Sequence, residues 1–235
     1  MENQSNTTTK AVTRDVLEQY AKLHRESREA IAAGKTLEDL STQQQKAATS
    51  LNEYIDAVAD LTAAELEGSD LSLINLESAI LKDAKLSNAN LQGAHLHHTI
   101  FEGATLDGAN FKNADLQHAD LQWTTLRETA LPNADLRQCN LSHINAPKCD
   151  LTDADIRNAD LTDSHFEEAT LNGADLRESN LRHAWFNRAS LRWAKLEHSQ
   201  MEGTNLEEAD LSGTLLDDGA NRDNAAAANP KLSVA

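Results

Sequence analysis

Large apolar residues recur every five positions along most of the chain. From Leu61 to Leu216 each fifth residue is Leu, Ile, Phe or Met, except Ala146, and a small residue stands two positions before nearly every one of them. A step of five makes no stripe on a helix, which turns by about 100° per residue. On a straight strand the same step would send alternate leucines to opposite faces. The pattern therefore predicts a chain that turns a corner every five residues and winds into a tube.

The intervening residues agree with regular corners. Asp or Asn usually precedes the large apolar residue, and Gly, Asn, Asp or His often follows it by two positions; these residues favour turns. The segments "ADLQHADLQW", "ADIRNADLTD" and "ADLRESNLRH" match the pattern A(D/N)LXX, so the chain resembles the pentapeptide-repeat family. That resemblance implies a mainly β fold, a right-handed quadrilateral β-helix, with four pentapeptides per coil and about eight coils over residues 61–216.

Four pentapeptides per coil would stack residues twenty apart at the β spacing of about 4.8 Å. One interior ladder then contains Ala146 beside Phe166, and Ile144 lies two residues before the alanine. We expect the larger neighbours to fill the space that Ala146 leaves, which avoids overpacking. Cys139 and Cys149 fall on small inward positions, so we expect buried, unreactive thiols.

The two ends of the chain lack the period of five. Residues 13–58 read as two amphipathic helices, a hairpin that we expect to cap the open first coil. A partner-binding or dimerising role for the hairpin is the alternative. Ile80 and Ile100 are predicted to point outward on one face, which favours docking of the hairpin close to them. We expect residues 1–12 to be disordered and residues 217–235 to form a flexible tail.

The charge of the chain restricts the partners it can bind. The formal net charge of its 235 residues is -17, which disfavours direct nucleic-acid binding because duplex affinity depends on Lys and Arg neutralising phosphates. A protein partner is expected instead. No apolar run has the length of a signal sequence or a membrane span, and two cysteines make no disulfide framework, so we expect a protein of the cytoplasm without membrane contact.

The sequence contains few candidates for catalytic or metal-binding residues. A convex rod without long loops offers no concave pocket of the kind that catalysis needs, so we expect neither an enzyme nor a cofactor. His143, Asp163 and His183 share one corner ladder and are weak metal candidates, but three side chains in a line close a tetrahedral site poorly. Solvated corner residues are the simpler interpretation.

A stripe of aspartates on one face is the second candidate cation site. Arginine follows most of these aspartates by two residues, so we interpret the stripe as a salt-bridged face. The residues concerned are Asp115, Asp135, Asp155 and Asp175 with Arg137, Arg157 and Arg177.

The seventh coil, residues 181–200, carries the best candidate binding site. Four cations and one acid give it a charge of +3, whereas the coils on either side carry -4 each, and it holds two of the three tryptophans. Exposed Trp with Arg is typical of binding hot spots. The alternative is that the cations merely balance neighbouring acids. Along the ladders every cation except Arg192 has an acid available, which favours Arg192 with Trp185 and Trp193 as the contact residues. With Arg188 added, the predicted partner-binding site is Trp185, Arg188, Arg192 and Trp193.

Two functions fit these features. The first is a non-enzymatic protein-interaction module, a rigid acidic rod that binds a protein partner. The second follows from the resemblance, because some pentapeptide-repeat proteins inhibit or protect DNA gyrase and topoisomerase IV by presenting a DNA-like acidic rod. Homo-oligomers through an end of the rod or the helical hairpin are a further expectation.

Overall fold

The computed structural model describes residues 60–217 and, outside this range, Glu18, Lys22 and Glu26, which are helical. The predicted hairpin over residues 13–58 falls, apart from those three residues, outside the described part of the chain. So do the disordered segment predicted for residues 1–12 and nearly all of the predicted C-terminal tail.

Each pentapeptide of the described range closes a β-turn. In nearly every one, the N–H three residues after the large inward residue donates to its carbonyl, as from Ala84 to Leu81 at 3.1 Å. The third residue of the turn, here called the corner residue, has a positive φ of 54° to 73° at every fifth position from Ala63 to Gly213. A positive φ at this position is the mark of a type II turn. Repeated turns of one kind produce the corners that the period of five predicts.

Successive coils pair in parallel at an interval of twenty residues. Single-residue bridges run from Asp60 with Ile80 to Lys195 with Leu215, one in every pentapeptide. Backbone hydrogen bonds reinforce each bridge on both sides, as from Leu61 N–H to the Ile80 carbonyl at 2.7 Å. Twenty residues hold four pentapeptides, so each coil has four sides and the chain forms a β-helical solenoid.

The interior of the solenoid is a set of apolar ladders. The large inward residues from Leu61 to Leu211 are all buried, and Ala146 is buried with them. A small apolar cavity of about 10 Å³ remains beside Ala146, with Ile144 and Phe166 in its wall. The neighbouring large side chains therefore fill most, but not all, of the space that the alanine leaves.

Polar atoms at the small inward positions are hydrogen-bonded. The Thr99 hydroxyl donates to the Leu76 carbonyl at 2.8 Å. Cys139 Sγ donates to the Leu116 carbonyl at 2.9 Å. Burial raises the pKa of the thiols of Cys139 and Cys149 well above the ordinary range. The prediction of buried cysteine thiols is confirmed.

The Asp or Asn before each inward residue has a local structural role. Its side-chain oxygen accepts the N–H two residues later, as from Lys112 to Asn110 at 3.1 Å and from Arg137 to Asp135 at 3.2 Å. This N–H lies inside the turn, where short acceptors such as Asp and Asn reach it readily. The hydrogen bond explains why the repeat places Asp or Asn at this position.

Candidate protein-interaction surface

Three tryptophans stand out on a surface that is otherwise polar. Trp185 is 46% exposed, Trp193 is 68% exposed and Trp123 is 58% exposed. Within residues 60–217 only Leu215 joins them as an exposed large hydrophobic side chain. The expectation that Trp185 and Trp193 face solvent is confirmed.

The backbone fixes the two tryptophans of the predicted site in different ways. Trp185 points outward from a flat side of the rod, and its ring stacks on His165 of the preceding coil with a centroid distance of 5.4 Å. Trp193 is a corner residue with φ of 61°. Its indole lies over Gly213, where a Cβ would overlap the ring. Each indole is thus supported on one face by the neighbouring coil.

Three cations of residues 181–200 pair as the ladders predict. Arg188 Nε lies 2.8 Å from Glu208 Oε2, and this hydrogen bond raises the pKa of the guanidinium. Arg182 Nε lies 3.7 Å from an oxygen of Glu202, and Lys195 Nζ lies 3.7 Å from an oxygen of Asp175. Exposed ion pairs of this kind are weak because solvent screens them.

Arg192 corrects the prediction that one cation lacks an acid. Its Nε lies 3.6 Å from Asp210 Oδ2, eighteen residues further along the chain. The prediction considered only residues twenty apart. A long side chain directly after an inward residue can also reach diagonally to the following coil, where it meets the position directly before the inward residue. Arg137 reaches Asp155 in the same way at 3.7 Å. All four cations of residues 181–200 are therefore paired with an acidic side chain.

The aspartate stripe is a salt-bridged face, as predicted. Arg157 lies 2.7 Å from Asp155 in its own coil, and Arg177 lies 2.6 Å from Asp175. Desolvation raises the pKa of both aspartates, but the hydrogen bonds and charges of their arginines outweigh it, so the pKa of each carboxyl is lowered.

The weak metal candidates are not brought together as a ligand set. His143 Nδ1 lies 4.0 Å from Asp163 Oδ2, and the His143 ring is stacked on Trp123 at 4.1 Å. His183 lies over Gly203 in the following coil. Over residues 60–217, no group of three or more His, Cys, Asp or Glu side chains is arranged to hold a metal ion.

Two aromatic groups lie outside the sites that the sequence predicts. Trp123 is not among the predicted site residues, although its spacing of twenty from His143 places it on the same ladder and indicates the observed stack. His97, His98 and His118 form a cluster with centroid separations of 4.2 to 5.2 Å. Only the pair twenty residues apart could be inferred from the ladder.

The repeat pattern can be compared with known families. The family described as "Pentapeptide repeats (8 copies)" matches residues 59–97, 89–128 and 115–157. A second family, "Pentapeptide repeat region", matches residues 145–216. The chain belongs to the pentapeptide-repeat family. No curated protein sequence matches the chain.

Several solved structures of pentapeptide-repeat proteins resemble this one. HetL of Nostoc sp. strain PCC 7120, described as involved in heterocyst differentiation regulation, is 24% identical over 73% of this chain and 97% of its own, with a TM-score of 0.33. QnrB1, described as a plasmid-mediated fluoroquinolone resistance protein, is 20% identical over 76% of this chain and 85% of its own, with a TM-score of 0.43. Rfr23 of Cyanothece 51142 is 24% identical over 72% of this chain and 99% of its own, with a TM-score of 0.20.

In the part of this pentapeptide-repeat protein that the structure describes, no helix combines the length and the hydrophobicity needed to cross a bilayer.

Proposed function

We propose that this pentapeptide-repeat protein is a non-enzymatic interaction module. In this proposal a rigid acidic rod contacts a protein partner through the tryptophan–arginine surface, defined as Trp185, Arg188, Arg192 and Trp193. The observation that carries the proposal is the exposure of two indoles, at 46% and 68%, on a rod whose large apolar side chains are otherwise nearly all inside. Exposed Trp together with Arg is the composition enriched in binding hot spots.

The ion pairs of the surface are compatible with binding. Arg188 and Arg192 are 64% and 55% exposed although they contact acids. Such exposed pairs are weak, so their guanidinium groups can exchange an intramolecular carboxylate for one of a partner at little cost. The indoles would then supply the buried contact area, and the arginines would orient the partner.

Affinity capture from the source cell tests this proposal. The double variant Trp185→Ala, Trp193→Ala should lose a protein that the wild type retains, while keeping its melting temperature. Arg127→Ala, an exposed arginine outside the surface, is the matched control and should retain the protein. Capture that is unchanged in the double variant would contradict the proposed site.

The alternative function is mimicry of DNA towards DNA gyrase or topoisomerase IV. The net charge of -17 favours it. The arginines that neutralise Asp135, Asp155 and Asp175 weigh against it, because they break the line of negative charge along one face. A DNA-supercoiling assay separates the two functions: an interaction module with another partner leaves supercoiling unchanged, whereas a mimic inhibits or protects the enzyme.

The ends of the rod belong to the same proposal. We propose about eight coils, a cap formed by the hairpin of residues 13–58, and a location in the cytoplasm, where Cys139 and Cys149 remain free thiols. Burial of Leu61 and Leu66, the first inward residues, supports a cap. Deleting residues 1–58 should then expose a strand edge and cause aggregation. A soluble truncation of unchanged stability would make the hairpin an independent or dimerising unit.

A further inference from the structure

Corner side chains of the rod lean toward the following coil. The evidence comes from the corner glycines, where an added Cβ would overlap a side chain located twenty residues earlier in the sequence. The overlapping pairs are Leu73 over Gly93, Asp83 over Gly103, Asn88 over Gly108 and Asp153 over Gly173. A corner side chain located twenty residues after a glycine therefore leans away from that glycine. The face of this side chain that is directed toward the glycine is left uncovered.

At two corners, the residue that follows the glycine by twenty positions is an exposed tryptophan. Trp123 follows Gly103 by twenty residues. A Cβ at Gly103 would lie 2.5 Å from Asp83 Oδ1 and within 4 Å of no atom of Trp123. The opposite face of the Trp123 ring is stacked nearly parallel on His143, at 7°. The free face of the indole therefore looks across Gly103 toward the Asp83 carboxylate.

The second corner repeats this arrangement. Trp193 follows Gly173 by twenty residues, and the Asp153 carboxylate lies over that glycine. The opposite face of Trp193 covers Gly213. In both cases an aspartate, a glycine and a tryptophan succeed one another at intervals of twenty, with the indole 58% or 68% exposed.

We infer that these two notches each accept a cationic side chain, an arginine guanidinium, from a basic protein partner. The first notch is Asp83, Gly103 and Trp123, and the second is Asp153, Gly173 and Trp193. Two coil spacings, about 9.6 Å along the rod, separate the aspartate from the tryptophan in each notch. A guanidinium stacked on the indole at about 3.5 Å stays roughly 6 Å from the carboxylate, so the aromatic face and the negative charge both attract it.

The charges around the notches favour a cation, more so at the first. Lys82 beside the first notch is paired with Glu102 at 2.9 Å, and Asp120 is a further acid close to Lys82. Beside the second notch, Arg192 is directed toward Asp210 in the following coil. The net charge of -17 adds long-range attraction for a basic partner. The second notch shares Trp193 with the tryptophan–arginine surface and so rests on the proposed function, whereas the first does not.

Nuclear magnetic resonance of the three indole N–H groups tests the inference, with a tetra-arginine peptide as the probe. The resonances of Trp123 and Trp193 should shift and saturate, and that of Trp185, which has no corner glycine before it, should shift much less. The variant Gly103→Asn should remove the Trp123 shift and leave the Trp193 shift. Asparagine suits this backbone, since Asn113 has a φ of 57° at an equivalent corner.

Matched variants separate the notch from general charge. Gly108→Asn is the control for the glycine, because Gly108 lies under Asn88 but is followed by Glu128 and no indole; it should leave the shifts unchanged. Asp83→Asn should weaken peptide binding at Trp123 by about three- to tenfold. Glu178→Gln, which removes one negative charge from an exposed corner on another ladder, should change it little.

Two results would overturn the inference. One is an equal shift of all three indoles, which indicates attraction by net charge alone. The other is a Trp123 shift that survives both Gly103→Asn and Asp83→Asn in variants with unchanged melting temperature. The tests at Trp123 are independent of the tryptophan–arginine surface: loss of the Trp123 response with partner capture intact refutes the notch, and the reverse result refutes only the proposed function.

Discussion

The inside and the outside of this rod use the same pentapeptide in different ways. Inward positions repeat every five residues and are nearly interchangeable, with Leu and Ala stacked along each side. Outward side chains contact one another either two residues apart or at intervals of eighteen or twenty, and each contact depends on two particular residues, such as Arg177 with Asp175 or Arg188 with Glu208. The interior therefore spreads its stabilisation over many equivalent contacts, whereas the surface concentrates recognition in a few. Substitutions should separate the two regions by the size of their effect on stability.

The largest effect is expected inside. Leu136 is fully buried in a ladder of leucines, so Leu136→Asp buries a carboxylate without a partner and should destabilise the fold by at least about 4 kcal/mol. Chemical denaturation measures the change. Gln138→Asp, at the exposed corner two residues later, is the control and should stay within about 0.5 kcal/mol of the wild type. Similar values for the two variants would refute the inward assignment.

The irregular ladder at Ala146 should give an intermediate effect. The cavity beside Ala146 has room for about one water-sized group, whereas leucine adds three carbon atoms to alanine, so Ala146→Leu alone should cost about 1–3 kcal/mol through overpacking. Phe166→Leu makes room beside it. The double variant should therefore be more stable than the sum of the two single changes predicts. Additive free energies of unfolding would show that the two positions do not exchange volume.

The salt-bridged face should respond to pH. The pKa values of Asp155 and Asp175 are lowered in the folded protein. Their contribution to stability is therefore full above the unfolded pKa of about 3.9 and is lost as the pH falls through the lower folded values. Melting temperatures measured from pH 6 to pH 2 should show a smaller acid-induced decrease in Asp175→Asn, which costs about 1–2 kcal/mol at neutral pH. An unchanged pH profile would contradict the role of this carboxylate.

The smallest effect on stability is expected at the tryptophan–arginine surface. Trp185→Ala with Trp193→Ala should change the free energy of unfolding by only about 1 kcal/mol, because nearly half of Trp185 and most of Trp193 is exposed to solvent. Partner capture should nevertheless be lost. A clear loss of stability with capture intact would assign the tryptophans to packing against His165 and Gly213 and place the contact surface elsewhere.

The period of five was sufficient to predict the burial of the large inward residues from Leu61 to Leu211, whereas Leu216 is only partly buried. The pairing of residues twenty apart was implied by the resemblance to pentapeptide-repeat proteins, which gives four pentapeptides per coil. The pattern could not predict how far side chains reach along the surface. Arg192 seemed unpaired because the pattern gives the ladder but not the diagonal to Asp210. The notches at Trp123 and Trp193 depend on the direction in which corner side chains lean, which follows from three-dimensional backbone geometry.

The corner conformation illustrates the same limit at single residues. Gly, Asn and Asp suggest a turn by their own preferences, but Leu73 and Trp193 also adopt positive φ, at 61° each. A bulky residue is disfavoured in that region. Its N–H donates to a carbonyl of the following coil, as from Leu73 to Gln92 at 2.8 Å and from Trp193 to Ser212 at 3.0 Å. This hydrogen bond helps to hold the residue there, so tertiary structure overrides the local preference.

The two repeat lengths of the rod, five residues for a pentapeptide and twenty for a coil, also determine how its gene can change length. Deleting five residues leaves all later leucines inward and the core intact, yet it turns every later face by one quarter around the axis. Asp83 and Gly103 would then no longer lie in line with Trp123 if the deletion fell between the last two. Deleting a whole coil of twenty restores the alignment and only shortens the rod. Insertions and deletions of a single pentapeptide therefore preserve the fold while rearranging what the surface can bind, which offers a simple route by which one scaffold acquires new partners.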